Sequence, residues 1–417
     1  MSTAEQQQGV LDHINVVDLS WVAAGPLCGA LFAYYGATVV KVESAVRLDV
    51  ARSSPPVAGP GIDKSGYFAA MNLGKYDLAL DLNKPGGQEV IEKLVDWADV
   101  VIEGFTPGTM ARWGLDYTSL RARKHGIIML SMTLQGQTGP QAALPGYGLQ
   151  VLGMSGMSSL IGWPDGPPTG VTLAYPDYVV PMVAAFAAVA ALDHRDRTGE
   201  GQHLDLAQME AMLNFTGTAV LDYSANGRTQ VRAGNRLMAG DAPATAPHGV
   251  YPTQGDDRWI AIATFSDDEW RALCRVLERD DWISDPRFAS SADRGRVDGA
   301  LNAAIAEETR KHDARELMER LQAAGVAAGV ALDQEGLYAD PQLAHRGHFV
   351  SMPHPVLGDF PAELFGARLE ATPPRVQRPA PCLGEHNELV LRELLGYSSE
   401  DFDRLVAEGA VEFYGGD

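Results

Sequence analysis

Short β-branched runs alternate with helical stretches through the first third of the chain. Ile14–Leu19 and Thr38–Glu43 predict strands, and the small and apolar residues from Pro26 to Tyr35 predict the helix between them. Leu78–Leu82 and Val100–Glu103 repeat the strand pattern around a helix from Pro85 to Ala98, with Pro85 suited to a first helical turn. After Val100–Glu103, Gly104–Gly108 turns into a short helix over Thr109–Trp113, and Ile127–Ser131 follows as the next strand. The alternation predicts an α/β fold with a parallel sheet. The turn after the first strand, Ala23 to Gly29, lacks the G-x-G-x-x-G spacing of a dinucleotide site, so NAD and FAD are not expected.

Further along, the longest apolar run, Val179–Leu192, predicts a helix opening near Pro181 and closing near His194. Its length and the Asp193-His194-Arg195 that follows fit a buried helix rather than a membrane span. A tight turn, the strand His203–Leu206 and a helix from Gln208 to Tyr223 come next. From Asn226 the texture changes. Gly249–Thr253 and Trp259–Thr264 flank Gln-Gly-Asp-Asp, a hairpin signal, and Ser266 with Glu269 and Asp313 with Glu316 form two capping boxes. Three segments result: 1–225 as the start of a large domain, 226–325 as a smaller α+β domain, and 326–417 as the return to the large one. Residues 384–409 read as helical.

Composition then limits partners. A net charge of −21 repels nucleic acid and anionic membranes, so any anionic ligand needs a local cationic pocket. Three dispersed cysteines and an N-terminus short of basic residues suggest a reducing cytoplasm and no signal peptide. No metal is expected, since His345, His348 and His354 match no ligand spacing. Arg47, Arg52, Lys75 and Arg112 fall in loops around the sheet edge, where together they would hold a phosphate-bearing ligand. Asp177, just ahead of the long apolar helix, is either a helix cap or a carboxylate nucleophile.

Joint motifs decide between those readings. Val17-Asp-Leu-Ser-Trp-Val-Ala-Ala-Gly-Pro26, Tyr35–Glu43, Asn72-Leu-Gly-Lys75, Asp99–Gly108, Thr198-Gly-Glu-Gly-Gln202, Gly234-Asn-Arg236, Ala246–Tyr251 and Leu383-Gly-Glu-His386 together resemble the class III CoA-transferases. The resemblance implies a Rossmann-like CoA-binding large domain made from both chain ends, a smaller inserted α+β domain, and an interlocked dimer, either a homodimer or a heterodimer with a related subunit. It implies Asp177 as the catalytic aspartate and Ala24, Arg47, Lys75, Phe105, Gly108, Met110, Arg112 and Tyr147 as CoA-contacting positions. CoA and acyl-CoA are then substrates, with a carboxylic acid as acceptor and no permanently bound cofactor. The texture of Ala246–Tyr251 and Trp259–Thr264 resembles the branch of the family that handles larger acids, which implies succinyl-CoA as donor and an aryl- or alkyl-substituted succinate as acceptor. The racemases of the family pair their aspartate with a histidine, whereas Pro145-Gly-Tyr147-Gly-Leu offers a tyrosine, which leaves racemase as the alternative. A catalytically silent CoA-binding partner subunit is a second alternative, one that would have no need of Asp177.

Overall fold

The computed structural model describes residues 9–413 apart from Thr172 and Asp241. Six parallel strands form one sheet: β1 (Asn15–Asp18), β2 (Thr38–Glu43), β3 (Tyr76–Ala79), β4 (Val100–Glu103), β5 (Ile128–Thr133) and β6 (His203–Ala207). Their spatial order is β3-β2-β1-β4-β5-β6, the doubly wound order. Strands covered on both faces need apolar side chains in both directions, which is why β1, β2 and β4 carry consecutive valines or isoleucines, whereas the edge strand β6, His-Leu-Asp-Leu-Ala, alternates with polar residues. Val17, Val40, Leu78 and Val101 pack beneath Val90, Ile91 and Leu94 of the helix Pro85–Trp97. Val16, Val39, Val100 and Ile102 face the other way, onto Cys28 and Phe32 of the helix Ala24–Tyr34 and Ala184 and Ala188 of the helix Tyr175–Thr198.

By internal contacts the chain separates into two compact units. The first comprises 1–157, 171–217 and 345–417, and the second 158–170 and 218–344. In the first, the C-terminal segment reinforces the open edge at β3. Leu80 bridges Val411, the Glu412 N–H donates to the Ala79 carbonyl at 2.9 Å, and the Gly384 N–H donates to Asp77 at 2.6 Å. The predicted helical tail is two pieces, Leu389–Leu394 and Ser399–Ala407, because Gly396 turns the chain at φ 68° between them.

The second unit has an antiparallel sheet in which Trp259–Ala263 pairs with His248–Pro252 on one side and Ala327–Ala331 on the other. The predicted hairpin is therefore present, and both N-caps form but without the reciprocal bond of a capping box, Glu269 accepting the Phe265 N–H instead of that of Ser266. Ser266 accepts the Glu269 N–H, and Asp313 accepts those of Arg315 and Glu316. The strand Ala327–Ala331 belongs to this sheet, so residues 326–344 lie in the second unit rather than with the returning segment. A strand's allegiance is decided by its hydrogen-bonding partner, which its own residues do not reveal.

Beneath β1–β3 lies a group of buried charges. Arg52, 1% exposed, grips both oxygens of Glu43 at 2.8 and 3.1 Å, pairs with Asp63, approaches Asp77 at 3.5 Å, and stacks 3.8 Å over the Phe68 ring. Despite its burial, Glu43 is held below the usual carboxylate range by Lys41 and Arg52, whereas desolvation and the neighbouring Glu43 push Asp77 well above it. Removing one partner of such a set strands the others in the interior. Arg52→Ala is expected to cost about 3–5 kcal/mol in urea unfolding, far more than truncating an exposed arginine such as Arg271.

Candidate active site

The strand order reverses between β1 and β4, and in open α/β sheets ligands collect outside the strand ends at such a point. Here β1 runs into Ser20–Ala23 and β4 into Gly104–Gly108. Trp21 from the first turn meets Phe105 from the second edge-on, with ring centroids 5.9 Å apart. Phe105 meets Trp113 in the same way at 5.4 Å, and the exposed Arg47 guanidinium lies 5.4 Å from the Trp21 ring centroid. The result is an aromatic shelf with a cation at its rim. Ala24 opens the helix behind the shelf and is 7% exposed. Gly108 takes a left-handed φ of 84° before the turn Thr109–Arg112, in which Met110 points inward and the exposed Arg112 donates to Thr109 Oγ1 at 3.0 Å.

No glycine makes the β1 turn. Val22 adopts φ 69°, a conformation that costs a β-branched residue about 1–3 kcal/mol. Its N–H donates to both oxygens of Asp49, at 3.1 and 3.2 Å.

Two of the expected cations are withdrawn from this surface. Lys75 is wholly buried, with its ammonium 2.7 Å from Asp18 and 2.8 Å from Asn72 Oδ1, and Arg52 is committed to Glu43. Lys75 therefore neutralises an interior carboxylate and is not among the exposed cations. Gly29 makes room for this pair, since a Cβ there would stand 2.9 Å from Asp18 Oδ2. Sequence position put both cations at the sheet edge, but the direction of their side chains, set by acids distant along the chain, took them inside.

Under Gly108 and Met110 is a polar cavity of about 80 Å³, also lined by Glu103, Ser131 and His203. Ser131 Oγ lies 2.9 Å from His203 Nε2, and burial raises the Glu103 carboxyl and lowers the His203 imidazole. The space is large enough for ordered water.

Asp177 belongs to the long helix itself. That helix starts at Tyr175, six residues before the expected Pro181, so Asp177 lies in its first turn and Ala174 is the N-cap. Pro181 is tolerated inside because it costs only the bond its missing N–H would have made to the Asp177 carbonyl, close to the helix end. The carboxylate caps nothing on its own helix. It accepts the N–H of Gly148, the first residue of the neighbouring helix Gly148–Met154. A Cβ on residue 148 would stand 2.6 Å from Asp177 Oδ2, so only glycine admits the carboxylate this close.

Asp177 is 7% exposed, and desolvation raises its pKa to about 6, against the opposing effect of the Gly148 amide. Tyr147, 60% exposed, immediately precedes Gly148. Two residues that sequence reasoning passed over complete the surroundings. Tyr67 and Tyr178 are hydrogen-bonded through their hydroxyls, and both phenols are raised, by burial first and then by neighbours that include Asp177; Asp49 also acts on Tyr67. Tyr178 is adjacent to Asp177 in sequence, but nothing in the sequence tied it to Tyr67. Among the described residues, no group of three or more His, Cys, Asp or Glu side chains is arranged to hold a metal ion. His354 Nδ1 instead accepts the Val356 and Leu357 amides.

The raised carboxyl has a thermodynamic consequence. A folded pKa of about 6 against 3.8 unfolded means that ionisation disfavours folding, by nothing below pH 3.8 and by on the order of 3 kcal/mol above pH 6. Asp177→Asn removes that cost. Its unfolding free energy is expected to exceed that of the unsubstituted protein by a margin that grows between pH 4 and pH 6 and is level above, measured by urea titration across pH.

Comparison with known proteins shows the family. The profile of CoA-transferase family III matches residues 11–387. The succinyl-CoA:D-citramalate CoA-transferase of Chloroflexus aurantiacus is 32% identical over 96% of this chain and 98% of its own length. The succinate:glutarate CoA-transferase of Agrobacterium fabrum is 35% identical over 94% of this chain and 98% of its own. The crystal structure of a CaiB/BaiF family protein from Brucella suis superposes with a TM-score of 0.85 at 31% identity, covering 93% of this chain and all of that one. The chain belongs to the family III CoA-transferases.

Proposed function

We propose that the chain transfers CoA from succinyl-CoA to a second carboxylic acid, a dicarboxylate such as a substituted succinate, with Asp177 as the acyl carrier. The observation that carries this reading is a lone buried carboxylate, poised near pH 6 and held on the Gly148 amide where only glycine fits. Two relatives named for succinyl or succinate exchange with citramalate and glutarate support the choice of acids.

Asp177 attacks the thioester carbonyl, the C–S bond breaks, and CoA thiolate leaves behind a mixed anhydride. The thiolate then attacks the aspartyl carbonyl of that anhydride, which gives an aspartyl-CoA thioester and releases succinate. The acceptor carboxylate attacks this thioester and forms a second anhydride, and the returning thiolate takes the new acyl group and frees Asp177. Each step exchanges one activated acyl bond for another, so no external energy source is consumed. A carboxylate suits the role because its anhydride keeps both acyl groups activated, and burial strips the solvation that would blunt it as a nucleophile.

CoA binding is assigned to the switch-point surface, with Arg47, Phe105, Gly108 and Arg112 as contacts and Ala24 and Met110 shaping its floor. Tyr147 immediately precedes the Gly148 that meets Asp177, in the segment where a racemase would need a second base. CoA and acyl-CoA are substrates, and no resident cofactor is invoked.

The two-unit organisation fits a large CoA-binding domain drawn from both chain ends with a smaller domain inserted. The helix Tyr175–Thr198 is long and apolar enough to cross a membrane by length and composition, yet Val180, Ala184, Ala188 and Ala191 bury one side of it in the core. Its other side exposes Met182, Phe186 and Val189 beside Leu11 and Phe365. We assign that apolar face to the interface of an intertwined homodimer.

The test is CoA exchange between succinyl-CoA and a panel of dicarboxylates. Asp177→Ala is expected to lose at least about a thousandfold in kcat. For the unsubstituted enzyme, kcat/KM should fall tenfold per pH unit below an apparent pKa of about 6, as Asp177 takes up its proton. Substantial exchange by Asp177→Ala would remove the carrier from the scheme.

A further inference from the structure

The turn that presents Trp21 is held by groups that no ligand can reach. Lys41 and Asp49 are fully buried, and both reach the turn. Lys41 Nζ donates to the Ser20 carbonyl at 2.8 Å and to Asp49 Oδ2 at 3.3 Å. Asp49 Oδ1 accepts the Ala51 N–H at 2.9 Å and, with Oδ2, the N–H of Val22. On the opposite side, the Ser20 N–H donates to Asp18 Oδ1 at 2.9 Å, as does its hydroxyl. The residues flanking Trp21 are thus both tied to interior charges, and Trp21 itself carries contacts to Phe105 and Arg47.

A side-chain-bearing residue at φ 69° persists only where its surroundings over-determine it. A glycine would adopt that turn freely, as it does in dinucleotide-binding folds. Here valine stands in its place, and a carboxylate directed at its N–H supplies the constraint.

We propose that Asp49 is a positioning residue for CoA binding: anchored by Lys41, it holds Val22 in the left-handed conformation and so fixes Trp21 under Arg47 and beside Phe105. This rests on the reading of the switch-point surface as the CoA site. Asp49 is buried behind the turn and acts on the shelf through Val22. Its contribution is to set the shelf before CoA arrives, so that binding need not order it.

The experiment pairs Asp49→Asn, which keeps the shape and loses the charge, with Val22→Gly, which removes the need for the restraint. CoA affinity is measured by calorimetry, exchange kinetics with succinyl-CoA, and folding by thermal melting. Asp49→Asn is expected to weaken CoA binding and raise KM about tenfold while kcat stays within about twofold, and the double variant should recover most of that loss. In the unsubstituted protein, amide exchange at Val22, whose N–H is held by buried Asp49, should be slow and unchanged by CoA, a measurement that needs no variant to fold.

CoA binding by Asp49→Asn at the original affinity overturns the proposal alone. So do a loss confined to kcat, a folded double variant that recovers nothing, and a Val22 amide that exchanges fast until CoA is added. Failure of the unsubstituted protein to bind CoA overturns the site reading, and the proposal with it.

Discussion

Asp18, Lys41, Glu43, Asp49, Arg52, Lys75 and Asp77 are buried together beneath the ends of β1–β3, where an unpaired charge would cost several kcal/mol. Each has therefore to find its partner before the surrounding chain can close. The pairing draws in the β1 turn through Lys41 and Asp49, the loop after β2 through Arg52, and the C-terminal segment through Asp77 and Asp63. Regions hundreds of residues apart in sequence become one rigid edge. The surface that meets CoA in the proposed function is the solvent side of that edge, and its geometry follows from what is locked underneath.

The same physics, desolvation of a charge, operates at Asp177 with the opposite outcome. Beneath the strands, opposite charges offset the cost of burial, and several of those groups remain ionised. At Asp177 no cation offsets it among the groups that act on the carboxyl; the Gly148 amide alone opposes the upward shift. The group stays ionised near neutrality but only just, a state that favours reaction over stability. In the proposed function Asp177 is the reactive carboxylate, and it differs from the paired acids beneath the strands in what stands opposite it rather than in its depth.

Much of this was legible from residues alone. β-Branched runs marked β1, β2 and β4 because a sheet buried on both faces leaves its central strands little alternative, and Ser266 and Asp313 cap helices in the second unit where expected. The start of the Asp177 helix was not legible, because Pro181 reads as a first-turn proline whereas Pro176 fills that place. Nor was the fate of Lys75. A lysine after Asn-Leu-Gly looks like a surface cation until Asp18, far off in sequence, is brought within 2.7 Å of it. Gly148 was passed over for a related reason: its importance lies in the atom it lacks, and the carboxylate that occupies that space comes from a different helix. Long-range pairing, more than local propensity, separated what could be read from what could not.

The central claim is that the Asp177 carboxylate becomes covalently acylated. It is tested most directly by incubating the protein with succinyl-CoA, quenching in acid, and mapping the peptides by mass spectrometry with and without hydroxylamine. The expected result is an adduct confined to the peptide carrying Asp177, either the CoA thioester or, after hydroxylamine, the hydroxamate. A protein that exchanges CoA between acids while that peptide stays unmodified, or an adduct on a different residue, would contradict it.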